Sequence, residues 1–552
     1  MGVLVAVVAL VVPVTASSVL VPGLSVHRVP VVGPPSMALS PVLDAPLASD
    51  PRVVLDELLG IVSENGVTHF GALVMAARLS NLDPGRLIAT LPVVFVDSLG
   101  EEVLDIYDVH GYPMSRAERS QAVADAAVFE AAAPELAHVV ARILAAETAA
   151  ARIMLDLALT RTEAQATAIA QATLSGVPFM ETGAARAGPW DAALDALGQD
   201  PSRRARLLQA GFLVSLALQD AEDALPSILE AHTMEGGDPL PKTCIDSTYV
   251  FCAPSRLIIV GSPDNDWYGP NSVVPGSDLS LIFGPHAHFL ILDLGGDDLY
   301  ETNVGAATLT PVFIVADPIA GAIVSVGLDP EGDDSYGSEN FYADITQGAG
   351  VGNGVGFLSD ADGDDRYLAR YGGQGVSAGE SVGILADSGG SNEWNLTHGG
   401  QGYGVNLAVG ALVRGAGPDV RDDPDVSGER WARYGYSIDG VALALDAGGM
   451  DDYLVFDLGL AMSMFSGSAL FLDLGGADQY TVVPSFLPPE VFGSVCIPCG
   501  EHGRLALFAD IGSVDSYSGM PLPGNDVMWA QGDGGRGVDA LSATPGFFLP
   551  PD

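Results

Sequence analysis

Two hydrophobic rhythms divide this chain. From Asp50 to residue 232, apolar positions recur at helical spacing. They begin with Val53, Val54, Leu58 and Ile61 on one face behind Asp50-Pro51, which reads as an N-cap and first-turn pair. The same spacing predicts helices over 66–80, 115–132, 135–175 and 201–230, an antiparallel helical domain without a sustained heptad. From residue 257 the rhythm changes to short apolar strands punctuated by glycine: Gly354-Val355-Gly356-Phe357-Leu358, Gly383-Ile384-Leu385 and Gly410-Ala411-Leu412. Gln347-Gly348, Gln374-Gly375 and Gln401-Gly402 precede these strands at one constant spacing, and Asp360, Asp387 and Arg414 follow the three glutamines at one constant offset. So strict a period is the mark of a repeat architecture.

The strands end in a recurring turn. Its copies begin at Asp293, Asp329, Asp360, Asp387, Asp446, Asp473 and Asp510, after a divergent first copy, Gly261-Ser-Pro-Asp264-Asn-Asp266-Trp-Tyr268. An aromatic residue stands seven positions after each first Asp. Neighbouring copies are 36, 31, 27, 59, 27 and 37 residues apart. The shortest step is the basic unit, and the longest contains the Arg414 copy and an acidic insertion, Asp419–Arg433. A four-stranded propeller blade needs about 40 residues, so a propeller fits poorly. One coil of a parallel β-solenoid fits, with two or three short strands and successive coils about 4.8 Å apart. In such a stack each aromatic lies on its copy in the next coil, and the glutamines are placed to form an amide ladder. The chain therefore reads as an α+β multidomain protein, an α-helical N-terminal domain followed by a parallel β-solenoid (β-helix) of Asp/Gly-rich repeats. The expected segments are a signal peptide at 1–18, a Pro/Val-rich lead-in at 19–49 and the helical domain at 50–232. A linker at 233–256, the solenoid at 257–535 and a tail at 536–552 complete it.

Charge sharpens this picture. The formal net charge is -47 over 552 residues, of which -14 lies before Cys244 and -33 from there on. In that second part 34 of the 42 acids are Asp, a turn residue that is poor in strands and helices. Such a field repels nucleic acid and anionic membrane and attracts cations. General acidity of a salt-adapted protein is the plainer alternative, but it leaves the fixed spacing unexplained. Stacking coils brings like charges opposite one another, which is repulsive, so the rows need counter-charge. Arg414 supplies some, and Ca2+, which takes several carboxylate and carbonyl oxygens, is the simplest source of the rest. The candidate ligands are Asp293, Asp297, Asp298, Asp329, Asp333, Asp334, Asp360, Asp364, Asp365, Asp387, Asp446, Asp451, Asp473, Asp478, Asp510 and Asp515. The competing reading has these aspartates capping their turns through backbone N–H groups, and the two are compatible within one turn.

Gly295-Gly296-Asp297-Asp298-Leu299-Tyr300 resembles the Gly-Gly-x-Gly-x-Asp-x-aliphatic nonapeptide of calcium-binding RTX β-rolls, with a longer unit and an aromatic final position. Phe357-Leu-Ser-Asp360-Ala-Asp362-Gly363-Asp364-Asp365 carries a second resemblance, to the calcium loops of integrin-like FG-GAP propellers. Both imply calcium held by the turn aspartates.

Other signals narrow the function. Val3 to Val14 is an apolar run of signal-peptide length, followed by Thr15-Ala16-Ser17-Ser18, and no later run is long enough to span a membrane. Cys244 with Cys252 and Cys496 with Cys499 read as two local disulfides in an exported chain. A four-thiolate zinc site and a redox Cys-Ile-Pro-Cys motif are the alternatives. Gly379-Glu-Ser381-Val-Gly383 matches the hydrolase elbow pattern, yet in repeat register Ser381 merely replaces a glycine of the preceding coil. His286-Ala-His288 could hold a metal, His398 aligns with Tyr371 as a turn residue, and Asn395-Leu-Thr397 is a glycosylation sequon. No catalytic residue is assigned, because the acids recur in every repeat whereas an active site is a local exception. The sequence points to a secreted or cell-surface, calcium-binding repeat protein with a structural or adhesive role, its partners surface glycans or other surface proteins. A carbohydrate-active β-helix enzyme, a polysaccharide lyase or hydrolase, is the alternative, and a helical binding module on an acidic stalk is a third.

Overall fold

The computed structural model describes residues 51–176, 197, 200–233, 249–253, 256–269, 288–308, 322–337, 343–419, 434–456, 460–464, 467–483, 499–501, 505–512, 514–518, 528–531 and 535–540. The expected signal peptide and lead-in lie outside them, as do Cys244, His286, Cys496 and the insertion beyond Asp419. Helices and solenoid belong to one compact unit, Pro41–Asp552.

The helical part contains α1 (Pro51–Asn65), α2 (His69–Leu79), α3 (Pro84–Ala89), α4 (Leu99–Val109), α5 (Arg116–Ala132), α6 (Pro134–Leu159), α7 (Glu163–Gly176) and α8 (Pro201–Thr233) among the described residues. Side-chain caps start several of them. Thr68, Asp83 and Ser98 each accept a first-turn N–H, and Ser115 forms a capping box with Glu118. The single helix expected over 135–175 is two, because Thr162 and Gln165 exchange cap bonds and restart the chain as α7. Helices α3 and α4 were not legible in the apolar pattern. They are short, and their signals are Asp83-Pro84 and Ser98 followed by Glu101 and Glu102.

The solenoid has three faces. The long face stacks parallel strands from Ile258–Val260 and Leu290–Leu292 through Val324–Asp329, Val355–Asp360, Val382–Asp387, Val409–Arg414, Val441–Asp446, Ser468–Asp473 and Leu505–Ile511 to Gly535–Ala540. This last strand runs into what the sequence marked as tail, and Phe251–Cys252, pairing antiparallel to Ile258–Val260, lies in the expected linker. The register keeps Asp329, Asp360, Asp387, Arg414, Asp446, Asp473 and Asp510 opposite one another in adjacent strands. A second face carries the aromatics, in strands such as Arg366–Tyr371 and Glu393–His398, where His398 is a strand residue opposite Tyr371 rather than a turn residue. A short third face runs from Ala307–Thr308 through Gly350–Val351, Ser377–Ala378 and Gly404–Val405 to Cys499–Glu501.

Long-face strands such as Val355–Asp360 are buried along their whole length. Leu358, Leu385 and Leu412 point inward into the tyrosine core. The alternate residues meet the helices: Phe357 packs edge-on against His69 of α2, and Ser359 donates to Glu222 of α8 at 2.5 Å. A parallel sheet covered on both faces explains the near-continuous apolar runs in these strands. The glutamines do not form the expected amide ladder. Gln347 donates to the carbonyls of Tyr336 (2.7 Å) and Leu368 (3.1 Å), and Gln374 to those of Tyr367 (3.2 Å) and Asn395 (3.3 Å). They tie the short face to the aromatic face across the interior.

Candidate metal centre

Strand periodicity aims the first aspartate of each turn inward. Asp360 shares a strand face with Leu358, and the turn that follows folds two further side chains back beside it. Each coil thus adds three groups to one internal column: the first Asp, the residue five positions on and the aromatic seven positions on.

Asp293, Asp329, Asp446 and Asp473 divide their oxygens between a turn N–H and a phenol, whereas Asp360 Oδ1 and Asp387 Oδ2 are buried with no partner. One oxygen caps its own turn: Gly295 N–H bonds Asp293 at 2.8 Å, Gly389 bonds Asp387 at 3.1 Å and Gly448 bonds Asp446 at 2.9 Å. The other accepts a phenol: Tyr300 to Asp329 at 2.5 Å, Tyr336 to Asp360 at 2.6 Å, Tyr480 to Asp473 at 2.9 Å and Tyr517 to Asp510 at 2.8 Å. These rings stack on their copies as expected, with centroids 4.6 Å apart for Tyr268–Tyr300 and Tyr300–Tyr336, 4.8 Å for Tyr336–Tyr367 and 4.1 Å for Tyr367–Trp394.

The second Asp links coils. Its Oδ1 accepts the N–H of the equivalent residue in the preceding coil: Asp334 from Asp298 at 2.6 Å, Asp365 from Asp334 at 2.8 Å, Asp451 from Asp419 at 2.9 Å and Asp478 from Asp451 at 2.8 Å. Asn392 continues this ladder between Asp365 and Asp419. The opposite oxygen, Oδ2 of Asp298, Asp334, Asp365, Asp451 and Asp478, is buried with no hydrogen-bond partner.

Among the described residues the two rows meet in five buried groups whose carboxylate oxygens lie within 4.8 Å of one another: Asp293/Asp298/Asp329, Asp334/Asp360/Asp365, Asp419/Asp446/Asp451, Asp451/Asp473/Asp478 and Asp478/Asp510/Asp515. Asp387 is buried in the first row but belongs to none of these groups. Asp297, Asp333 and Asp364 stand outside the column as an exposed ladder; Asp297 accepts the Asp333 N–H at 3.3 Å, and Asp333 that of Asp364 at 3.0 Å. Asp419, which looked like part of an insertion, is a second-row member, five positions after Arg414. Counted from Arg414, which aligns with Asp360 and Asp387, the same offset of the second row points to it in the sequence.

The electrostatics are severe. Burial first and neighbouring carboxylates second push Asp293, Asp360 and Asp473 well above the ordinary range. Burial and then Asp360 push Asp365 up to about 8. Two ionised carboxylates at such separations repel by about 3–4 kcal/mol at an effective dielectric near 20. Each group therefore requires a proton or a cation, and oxygens free of other partners suit a hard cation.

The remaining candidates have other places. His288 is buried, with Nδ1 2.9 Å from the Arg256 carbonyl and Nε2 3.2 Å from Thr302 Oγ1, so its ring is engaged within the protein. Ser381 is buried before a strand, its Oγ 2.7 Å from that of Ser377, and no strand-to-helix elbow exists there. Asn395 of the sequon is buried, out of reach of a glycan-transferring enzyme in the folded chain. Among the described residues no cysteine stands as a free thiol, but Cys244 and Cys496 lie outside them and the pairing stays an expectation. No described helix is long and apolar enough to cross a membrane. No family model, curated protein or solved structure matches this chain, so its functional reading rests on the column itself.

Proposed function

We propose that this chain is a calcium-binding repeat protein, exported to the cell surface or beyond, where a cation-filled solenoid serves a structural or adhesive role. One observation carries the calcium reading: a buried carboxylate oxygen without a partner recurs at the same offset in coil after coil, beside two further carboxylates. A second row used only to link coils would need one oxygen per side chain, and that oxygen, Oδ1, already accepts the N–H of the preceding coil. The apolar Val3–Val14 run supports export. The carbohydrate-enzyme alternative gains nothing from these acids, which are buried among tyrosines and turn backbone.

Thermal melting of the full chain in millimolar calcium and in chelator tests the reading. Calcium that binds only the folded column should raise the melting temperature, with about 2.7 kcal/mol of added stability at a hundredfold excess over the dissociation constant. Equal melting in both conditions, with no ion bound by elemental analysis, would sink it. Binding to a panel of surface polysaccharides, without their cleavage, is the result expected of an adhesive role.

A further inference from the structure

The column is not uniform. Three of its groups change within two consecutive coils: Asn392 stands where the second row has Asp, Trp394 where the aromatic row has Tyr, and Arg414 where the first row has Asp. The Arg414 side chain is buried and reaches three carboxylates. It pairs with Asp419 Oδ2, lies 3.2 Å from Asp446 Oδ2 and 3.5 Å from Asp451 Oδ1. These are the members of one of the five groups. Its guanidinium also lies 5.5 Å from the Trp394 ring centre and 5.1 Å from that of Tyr453, bridging the gap between the two tyrosine stacks.

Oxygen satisfaction separates this group from the two groups on either side of it. Asp419 accepts the Asn392 N–H at 3.0 Å and Arg414, while Asp446 accepts the Gly448 N–H at 2.9 Å, the Tyr453 phenol at 2.7 Å and Arg414. The one unpartnered oxygen in this group is Oδ2 of Asp451, a residue shared with the next group. The group before it leaves three oxygens unpartnered, on Asp334, Asp360 and Asp365, and the group after it leaves two, on Asp451 and Asp478. Replacing Asp by Arg and Asp by Asn raises the local formal charge by three, two from the first change and one from the second, which exceeds what one divalent ion supplies.

We propose that Arg414 is a cation built into the column, so that the Asp419/Asp446/Asp451 group takes no metal while the groups on either side do. This rests on the calcium reading above and adds to it which group is excluded. A guanidinium at this position needs no ion supply, so the coils beneath α2, which packs on Val382–Asp387, Val409–Arg414 and Val441–Asp446, keep their charge balance when calcium is scarce.

The test is elemental analysis of the full chain, stripped with chelator, reloaded with calcium and dialysed. Asp446→Asn should carry as many ions as the wild type, and Asp360→Asn and Asp473→Asn one fewer each. Arg414→Gln should carry one more, with a larger rise in melting temperature on calcium addition. If Arg414→Gln does not fold, the contrast between Asp446→Asn and Asp473→Asn still decides. An ion lost in Asp446→Asn, or an Arg414→Gln chain that folds with no added ion, overturns the inference and leaves the calcium reading standing. A wild type with no ion overturns both.

Discussion

At the scale of single residues, burial decides which form a titratable group takes. His110 at the end of α4 stacks on Phe289 with ring centres 4.3 Å apart. Its Nδ1 lies 2.8 Å from the Ile106 carbonyl, and its Nε2 accepts the Val324 N–H at 3.3 Å, which assigns the neutral ring with its proton on Nδ1. Burial lowers its pKa from 6.5 to about 4. The unfolded chain therefore binds this proton more readily, and the contribution to stability is complete above pH 6.5 and is lost as pH falls through about 4. The loss should be on the order of 3 kcal/mol across that window. His110→Gln, which keeps a donor and an acceptor, should flatten the stability profile between those pH values in urea titrations. An unchanged profile would contradict the assignment. Glu147 in α6 is the converse case, a fully buried carboxyl with neither oxygen partnered, held well above its ordinary value by burial. Its folded-state pKa is raised, so it costs stability as pH rises above 4.5. Glu147→Gln should therefore stabilise the chain more at pH 7 than at pH 4, and equal effects at both would refute this.

At the scale of the coil, glycine sets how closely the faces approach. Gly356, Gly383 and Gly410 pair with one another at the same position of three consecutive long-face strands, where the chain entering the short face lies against them. A Cβ on Gly383 would run into the Val376 carbonyl, and one on Gly410 into that of Tyr403. Backbone of a neighbouring strand cannot move aside as a side chain can. Gly383→Ala should cost at least about 1–3 kcal/mol, the usual penalty of overpacking. A denaturation midpoint within error of the wild type would show that the faces are looser than this.

At the scale of the whole molecule, the helical domain is joined to the solenoid by buried polar contacts as well as apolar ones. Glu380, in the turn before the strand Val382–Asp387, receives the guanidinium groups of Arg161, from the α6–α7 junction, and Arg203 of α8, with Nε distances of 2.8 Å and 2.7 Å. Arg161 also bonds Asn353 Oδ1 of the preceding coil at 2.6 Å. Glu380 holds a left-handed backbone conformation (φ 52°), disfavoured for any residue with a Cβ. That the position carries Glu rather than Gly follows from the ion triad it completes. Glu380→Gln keeps the shape but strands two buried cations, at a cost of about 3–5 kcal/mol. Urea unfolding followed by circular dichroism would measure it, and a loss under about 1 kcal/mol, the scale of an exposed pair, would show that the apolar contacts alone hold the two parts together.

The sequence by itself determined the repeat. The constant spacing of the glutamines, the strand-length apolar runs and the Asp and aromatic offsets depend only on local geometry, since identical units must stack identically. From them the parallel solenoid, the tyrosine stack and the repulsive aspartate row were all legible. Only the tertiary structure decided which carboxylate oxygen caps a turn and which faces the column, because that depends on the coil above as well as the coil below. The place of Arg414 between Trp394 and Tyr453 was hidden for the same reason: it follows from neighbours in the adjacent coils, distant along the chain, whose approach is set by stacking. The docking of α2 and α8 on the long face was likewise beyond the pattern. An apolar strand buried on both faces says that something covers it, and only the fold says what does.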